Sequence, residues 1–334
     1  MNLSPMMNYI LELRFILTVS LFLGLGPSID PLYANAYEEY MWEDCDLCGC
    51  ATSSGGVGFT NLNNTDFIGI RGIYQSFESK DGIFNNSPTI KEEFYTYQIW
   101  GKKQVTDFFS VSGVIPFLDL NRRFEDGQSQ GVSGLGDISL IGWYHFNFKK
   151  KKSNNQTVFE EATPSNHSLQ LGLGLKLPTG DFKQELAENQ VNPGFQVGTG
   201  SLDYIVSAFH SYTRERWGLS TNLTYFFKTE NNENYRFGNQ ISLSTRVFTF
   251  FEFKKTVWMP FVGITFDHFN EIEEFGQVIP NTDGYVANAM LGTEVSLNEM
   301  FTLGSNFSLP IQQELVGGDV KAEYRFSLYL NYRF

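Results

Sequence analysis

From Phe67 to the C-terminus the chain repeats one pattern: a run of about ten residues in which apolar and polar side chains alternate, followed by a polar connection. The last run shows it most clearly. Ala322, Tyr324, Phe326, Leu328, Leu330, Tyr332 and Phe334 share one parity, and Glu323, Arg325, Ser327, Tyr329, Asn331 and Arg333 the other. Residues two apart point to the same side of a strand, so the two sets are expected on opposite faces. Leu169, Leu171, Leu173, Leu175 and Leu177 likewise oppose Gln170, Gly172, Gly174 and Lys176. A soluble sandwich does not usually bury arginines such as Arg325 and Arg333 opposite so apolar a face. The pattern predicts strands at 67–78, 93–101, 108–117, 136–148, 167–177, 201–213, 216–228, 236–249, 257–269, 285–297, 300–310 and 321–334. Twelve such runs, an even number, indicate an all-β fold: a transmembrane antiparallel up-and-down β-barrel of about 12 strands.

The connections carry the same message, because in such barrels short periplasmic turns alternate with longer external loops. The segments 79–92, 118–135, 178–200, 229–235, 270–284 and 311–320 are long or polar, whereas those around Glu215 and Glu299 are very short. The exception is 149–166, an expected periplasmic connection that carries the run Lys149-Lys150-Lys151-Lys152 and is longer than the pattern asks for. Acidic side chains such as Glu185, Glu188, Glu271, Glu273, Glu274 and Glu314 gather in the predicted external loops. They would keep the loops solvated or hold divalent cations near lipopolysaccharide.

Ahead of the barrel, Arg14 precedes the short apolar stretch 15–26, and Ala34-Asn35-Ala36 offers a small-x-small cleavage pattern. This is the layout of a secretory signal peptide, expected over residues 1–36. Residues 37–66 read as an irregular, Cys-rich periplasmic segment, and 67–334 as the outer-membrane barrel. No later stretch reaches the ~20 apolar residues of a spanning helix, so a membrane form of this chain must be a barrel. Composition agrees. Of 334 residues, 32 are Phe and 16 Tyr, the aromatic supply that two membrane interfaces demand. A net charge of −13 argues against nucleic acid as a partner.

Three stretches carry a resemblance: Gly134-Leu135-Gly136-Asp137 leading into 138–144, Leu171 to Asp181 with its Pro178-Thr179-Gly180-Asp181, and Gly198-Thr199-Gly200-Ser201-Leu202-Asp203-Tyr204. Together they resemble the outer-membrane family named after the meta-pathway of phenol degradation, over roughly residues 65–334. The resemblance implies a barrel that takes up a small molecule, without naming phenol as its solute. The C-terminal Phe334, after alternating apolar positions, resembles the terminal signal read by the barrel-assembly machinery. The partners expected are therefore outer-membrane lipid and lipopolysaccharide, the assembly machinery and a small-molecule solute. The location expected is the cell outer membrane of a Gram-negative bacterium.

Arg71, Asp137, Lys176, Asp203, Arg246, Arg325 and Arg333 are expected to point into the lumen, either as a solute pathway or as a structural ion-pair network filling a small barrel. Gly172 and Gly174, on the same side, leave room for a bore or for a close-packed plug. The four histidines, His145, His167, His210 and His268, sit in no catalytic motif, and there is no P-loop, dinucleotide fingerprint or HExxH, so no enzyme is expected. All three cysteines fall in Cys45-Asp46-Leu47-Cys48-Gly49-Cys50. Three thiolates at this spacing suit trigonal Cu(I) better than tetrahedral Zn(II), and a disulfide between two of them is the competing reading. Two functions follow: a channel that passes a small, hydrophobic or aromatic solute by passive diffusion, or a closed barrel that anchors a periplasmic copper-type site.

Overall fold

Strands form where the alternation predicts them. The computed structural model describes residues 66–80, 88–147, 166–183, 192–253 and 256–334. The expected signal peptide, most of the Cys-rich segment with Cys45, Cys48 and Cys50, and the lysine run lie outside the described residues. The wall is built from β1 (Phe67–Lys80), β2 (Thr89–Thr106), β3 (Phe109–Arg123), β4 (Ser129–Leu135), β5 (Ile138–Asn147), β6 (Asn166–Leu177), β7 (Asp203–Arg214) and β8 (Trp217–Phe227). It continues, past a short β9 (Tyr235–Arg236), through β10 (Gln240–Thr249), β11 (Phe251–Phe253) and β12 (Thr256–Phe269). After β13 (Ile272–Glu274) and β14 (Gln277–Ile279) it resumes with β15 (Gly284–Ser296), β16 (Phe301–Leu315) and β17 (Val320–Arg333). Among the described residues there is no α-helix, only a 3-10 turn at Val316–Gly318.

Each wall strand pairs antiparallel with the next, and β1 closes on β17 from Phe67 opposite Arg333 to Ser79 opposite Val320. β4 and β5 are one interrupted strand, both lying against β3, and β11 extends the β10–β12 hairpin, so the closed barrel has twelve strands. The break between β4 and β5 falls opposite Pro116, which has no N–H to donate to a ladder; its carbonyl still accepts from Gly136 N at 2.9 Å. Closure leaves no edge, so the backbone is satisfied without water, as a hydrocarbon environment requires.

The two faces of the wall have opposite character. Outward apolar side chains are bare: Ile70, Leu173, Val262 and Leu291 are 59–71% exposed. Inward side chains are buried and include thirteen ionisable Lys, Arg, Asp and Glu residues. Aromatic pairs bound the apolar band. Trp217 and Tyr225, Trp258 and Phe266, and Tyr324 and Tyr332 all point outward, each pair eight positions apart on one strand. Eight residues rise about 26 Å along a strand, roughly 20 Å once tilted, which matches the apolar height of an outer-membrane barrel.

The structure departs from the sequence expectation at the end that carries the long loops. β2, β3 and β16 run further than predicted, and β4 lies inside the predicted loop 118–135. β9, β13 and β14 form a small separate sheet from two other predicted loops. These extensions alternate like the rest because their inward side chains have something to pack on: Phe77, Phe94, Leu118, Leu120 and Val132 surround Phe195 and Val197 of the 178–202 connection. The face assigned to Ala322 and Glu323 is also corrected. A register shift between Ser76 and Phe77 puts two neighbours, Glu323 and Tyr324, on the outer side and buries Ala322 inward.

Candidate functional site

All seven charged residues singled out from the sequence lie on the inward face and are at most 5% exposed. They separate into two levels. At the loop end, the three glycine-containing motifs converge. Lys176 is the last inward residue of β6 before Pro178 ends the strand, and Asp203, the first residue of β7, lies directly opposite it. Asp137 turns inward at the β4–β5 break. Lys176 Nζ is 2.7 Å from Asp137 Oδ2 and 2.8 Å from Asp203 Oδ2, and Lys228 Nζ is 3.4 Å from Asp203 Oδ2. Two lysines and two aspartates make this cluster neutral as a whole.

Its spare oxygens are used to hold the loop. Asp137 accepts from Gly180 N at 3.0 Å, Thr199 N at 2.9 Å and Thr199 Oγ1 at 2.8 Å. Asp203 accepts from Ser201 Oγ at 2.9 Å and Thr229 N at 3.0 Å. Thr179 Oγ1 accepts from Ile138 N at 2.9 Å and donates to Gly136 O at 2.7 Å, stitching the loop to the interrupted strand. Gly180 and Gly198 pass so close that a Cβ on Gly198 would come within 2.2 Å of the Gly180 backbone. Further along, Asn192 donates to Glu92, which lies 3.6 Å from Arg122, and the Arg122 guanidinium sits 3.6 Å above the Phe195 ring. Residues 192–201 are thereby held inside the loop end. Beside them, Phe77, Pro193, Phe237, Phe269, Ile272, Leu315 and Val320 line an apolar cavity of about 40 Å³, with Gln240 and Lys228 among its few polar walls.

The second level lies deeper. Arg71 Nε donates to Gln98 Oε1 at 2.8 Å, and its guanidinium lies 4.9 Å from the Trp100 ring. Arg246 Nη1 is 3.6 Å from Glu294, which accepts from Tyr329 OH at 2.6 Å. Arg333 donates to Thr302 and Ser296 at 3.1 and 3.3 Å, and Arg325 points inward from the same strand. Gly172 and Gly174 leave no gap: a Cβ at Gly172 would meet Trp143 at 2.9 Å, and one at Gly174 would meet Ile141 at 2.5 Å. The glycines make room for side chains of the adjacent strand β5 in the inner wall.

Sequence reasoning missed Lys102, Glu92, Arg122, Lys228, Asp267 and Glu294, all buried inward. Parity alone was enough to find Glu92 and Lys102, which share a face with Gln98 on β2. The alternation does not mark Asn192, which belongs to a loop, whereas Thr199 falls within the 198–204 motif. Ser110 Oγ and His145 Nε2 are 2.7 Å apart inside the barrel. Among the described residues no three His, Cys, Asp or Glu side chains gather as a metal site.

Comparison with known proteins places this arrangement. Among solved structures, the chain is similar to an outer membrane channel from Pseudomonas putida F1, with a TM-score of 0.56 and 13% identity over 82% of this chain and 97% of that one. It also matches the β domain of the Bordetella autotransporter BrkA, with a TM-score of 0.45 and 8% identity over 81% and 100% of the two chains. The NanC porin matches with a TM-score of 0.44 and 9% identity over 80% and 100%. At these identities the likeness is one of fold. No curated protein matches the sequence. The family model described as the putative MetA-pathway of phenol degradation matches residues 91–325, which include all three converging motifs and more than half of the 334 residues, and the chain belongs to that family.

Proposed function

We propose that this barrel is an outer-membrane channel that passes a small solute, hydrophobic or aromatic in its bulk, by diffusion down its gradient. The observation that carries this reading is the interior: among the described residues, thirteen Lys, Arg, Asp and Glu side chains are buried inside a wall whose outer face is apolar. A barrel that served only as an anchor would gain from an apolar filling, because replacing buried ion pairs with packed hydrophobic groups is often neutral or stabilising. Ionisable groups at membrane depth instead mark pathways. The apolar lining around Phe77, Phe94, Phe195 and Phe269 at the loop end supports a solute with a hydrophobic body. The inward polar side chains below it would set selectivity. The outer membrane is the proposed location, with the turns and both strand termini on the periplasmic side.

The test is conductance and solute flux of the purified full chain in planar bilayers and vesicles. Discrete current steps together with uptake of small aromatic or aliphatic solutes are expected. Sealed bilayers and no flux for any solute would overturn the reading.

A further inference from the structure

The charges inside the barrel do not follow the composition of the chain. The whole sequence carries 24 Lys and Arg against 37 Asp and Glu. Among the described residues, the side chains buried inside the wall reverse this balance, with eight Lys and Arg against five Asp and Glu. The reversal has a place. At the loop end Glu92, Asp137 and Asp203 are matched by Arg122, Lys176 and Lys228, one acid for each base. Below them stand Arg71, Lys102, Arg246, Arg325 and Arg333 with two acids, Asp267 and Glu294. The whole excess of three positive charges therefore sits in the deeper interior.

That part of the interior is also rich in apolar surface, and the two kinds are interleaved. Trp100, Ile141, Trp143, Phe209 and Phe226 belong to one buried cluster carried largely by β2, β5, β7 and β8. The Arg71 guanidinium lies 4.9 Å from the Trp100 ring, and that of Arg246 lies 4.8 Å from the Phe261 ring. Arg71 and Arg325 are near enough to repel each other. Inside a wall of low dielectric, an excess of fixed positive charge favours an anion and raises the barrier to a cation. A carboxylate also offers arginine two oxygens in the plane of its fork. We propose that the solute is an amphipathic carboxylate, an apolar body with one anionic head. The body would lie on rings such as Trp100 and Phe261 while the head passes along the arginines beside them. This rests on the channel reading and narrows it from a small hydrophobic solute to an anionic one.

The experiment uses the purified full chain in planar bilayers at neutral pH. Reversal potentials under a KCl gradient read anion against cation permeability. Bi-ionic gradients then compare benzoate with benzylammonium, two ions of similar shape and opposite charge, and with acetate, which lacks the ring. Chloride over potassium, and benzoate over benzylammonium, are each expected by about fivefold or more, with benzoate at least as permeant as acetate. Arg71→Gln and Arg325→Gln should each lower the preference by about twofold or more, whereas Lys321→Gln, on the exposed outer side of β17, should leave it unchanged. The heat-dependent gel shift verifies assembly, and the wild-type ratios decide the matter for any variant that does not assemble. Current steps without anion preference, benzoate less permeant than acetate, or equal selectivity in wild type and both assembled arginine variants would each overturn the proposal and leave the channel standing. Sealed bilayers would overturn the channel reading and this inference with it.

Discussion

Lys176 holds the loop end together through charge rather than bulk. It is fully buried between Asp137 and Asp203, and those carboxylates in turn bind the backbone of Gly180, Thr199 and Thr229. Removing one partner of a buried ion pair leaves an uncompensated charge, which costs about 3–5 kcal/mol. Lys176→Met is therefore expected to destabilise the barrel by about that amount, because two carboxylates then face each other with Lys228 as their remaining cation. Urea unfolding in lipid vesicles measures it. The triple change Lys176→Met, Asp137→Asn, Asp203→Asn should recover much of the loss, since no charge is stranded. A single-variant loss below about 1 kcal/mol would mean that the cluster is solvated and does not pin the loop.

At the scale of a strand, the decisive property is which way each side chain points. On β17, Phe326, Leu328 and Leu330 are outward, and Arg325, Ser327, Tyr329 and Asn331 inward. An arginine in place of Leu328, midway between the aromatic positions Tyr324 and Tyr332, is expected to cost about 2–4 kcal/mol, as for cations placed on the lipid face at mid-depth. The same substitution at Phe334, beyond the band, should cost far less. Vesicle unfolding of the two variants provides the comparison, and equal losses would show that Leu328 does not face hydrocarbon.

For the whole molecule, closure is the step that matters, and it is made where the first wall strand, β1, meets the last, β17. Phe334 N donates to Asp66 O at 3.2 Å, its ring lies 5.1 Å from Lys103 Nζ, and Arg333 is level with Phe67 on β1. Deleting Phe334 removes the aromatic end of β17 beside the seam. Lower outer-membrane yield and accumulation of unassembled chain are expected, read by fractionation and the heat-dependent gel shift. Normal yield would relieve Phe334 of any part in assembly.

The alternation in the amino-acid sequence determined strand number, order and facing, because period two is a local property that each run carries by itself. The inward placement of Arg71, Arg246, Arg325 and Arg333 followed from parity for the same reason. Parity failed at Ala322, where a bulge in the β1–β17 ladder inserts an extra residue, an event set by the partner strand. Tertiary structure alone decided what the motifs do. Gly180 and Gly198 are separated by a long loop, and only folding shows that they touch and that Asp137 and Lys176 lie where that contact needs them. The same holds for His167 and His210, unremarkable in two separate strands until the register of β6 on β7 brings their rings together. Such contacts depend on the offset between strands, which ladder closure imposes and no single run encodes.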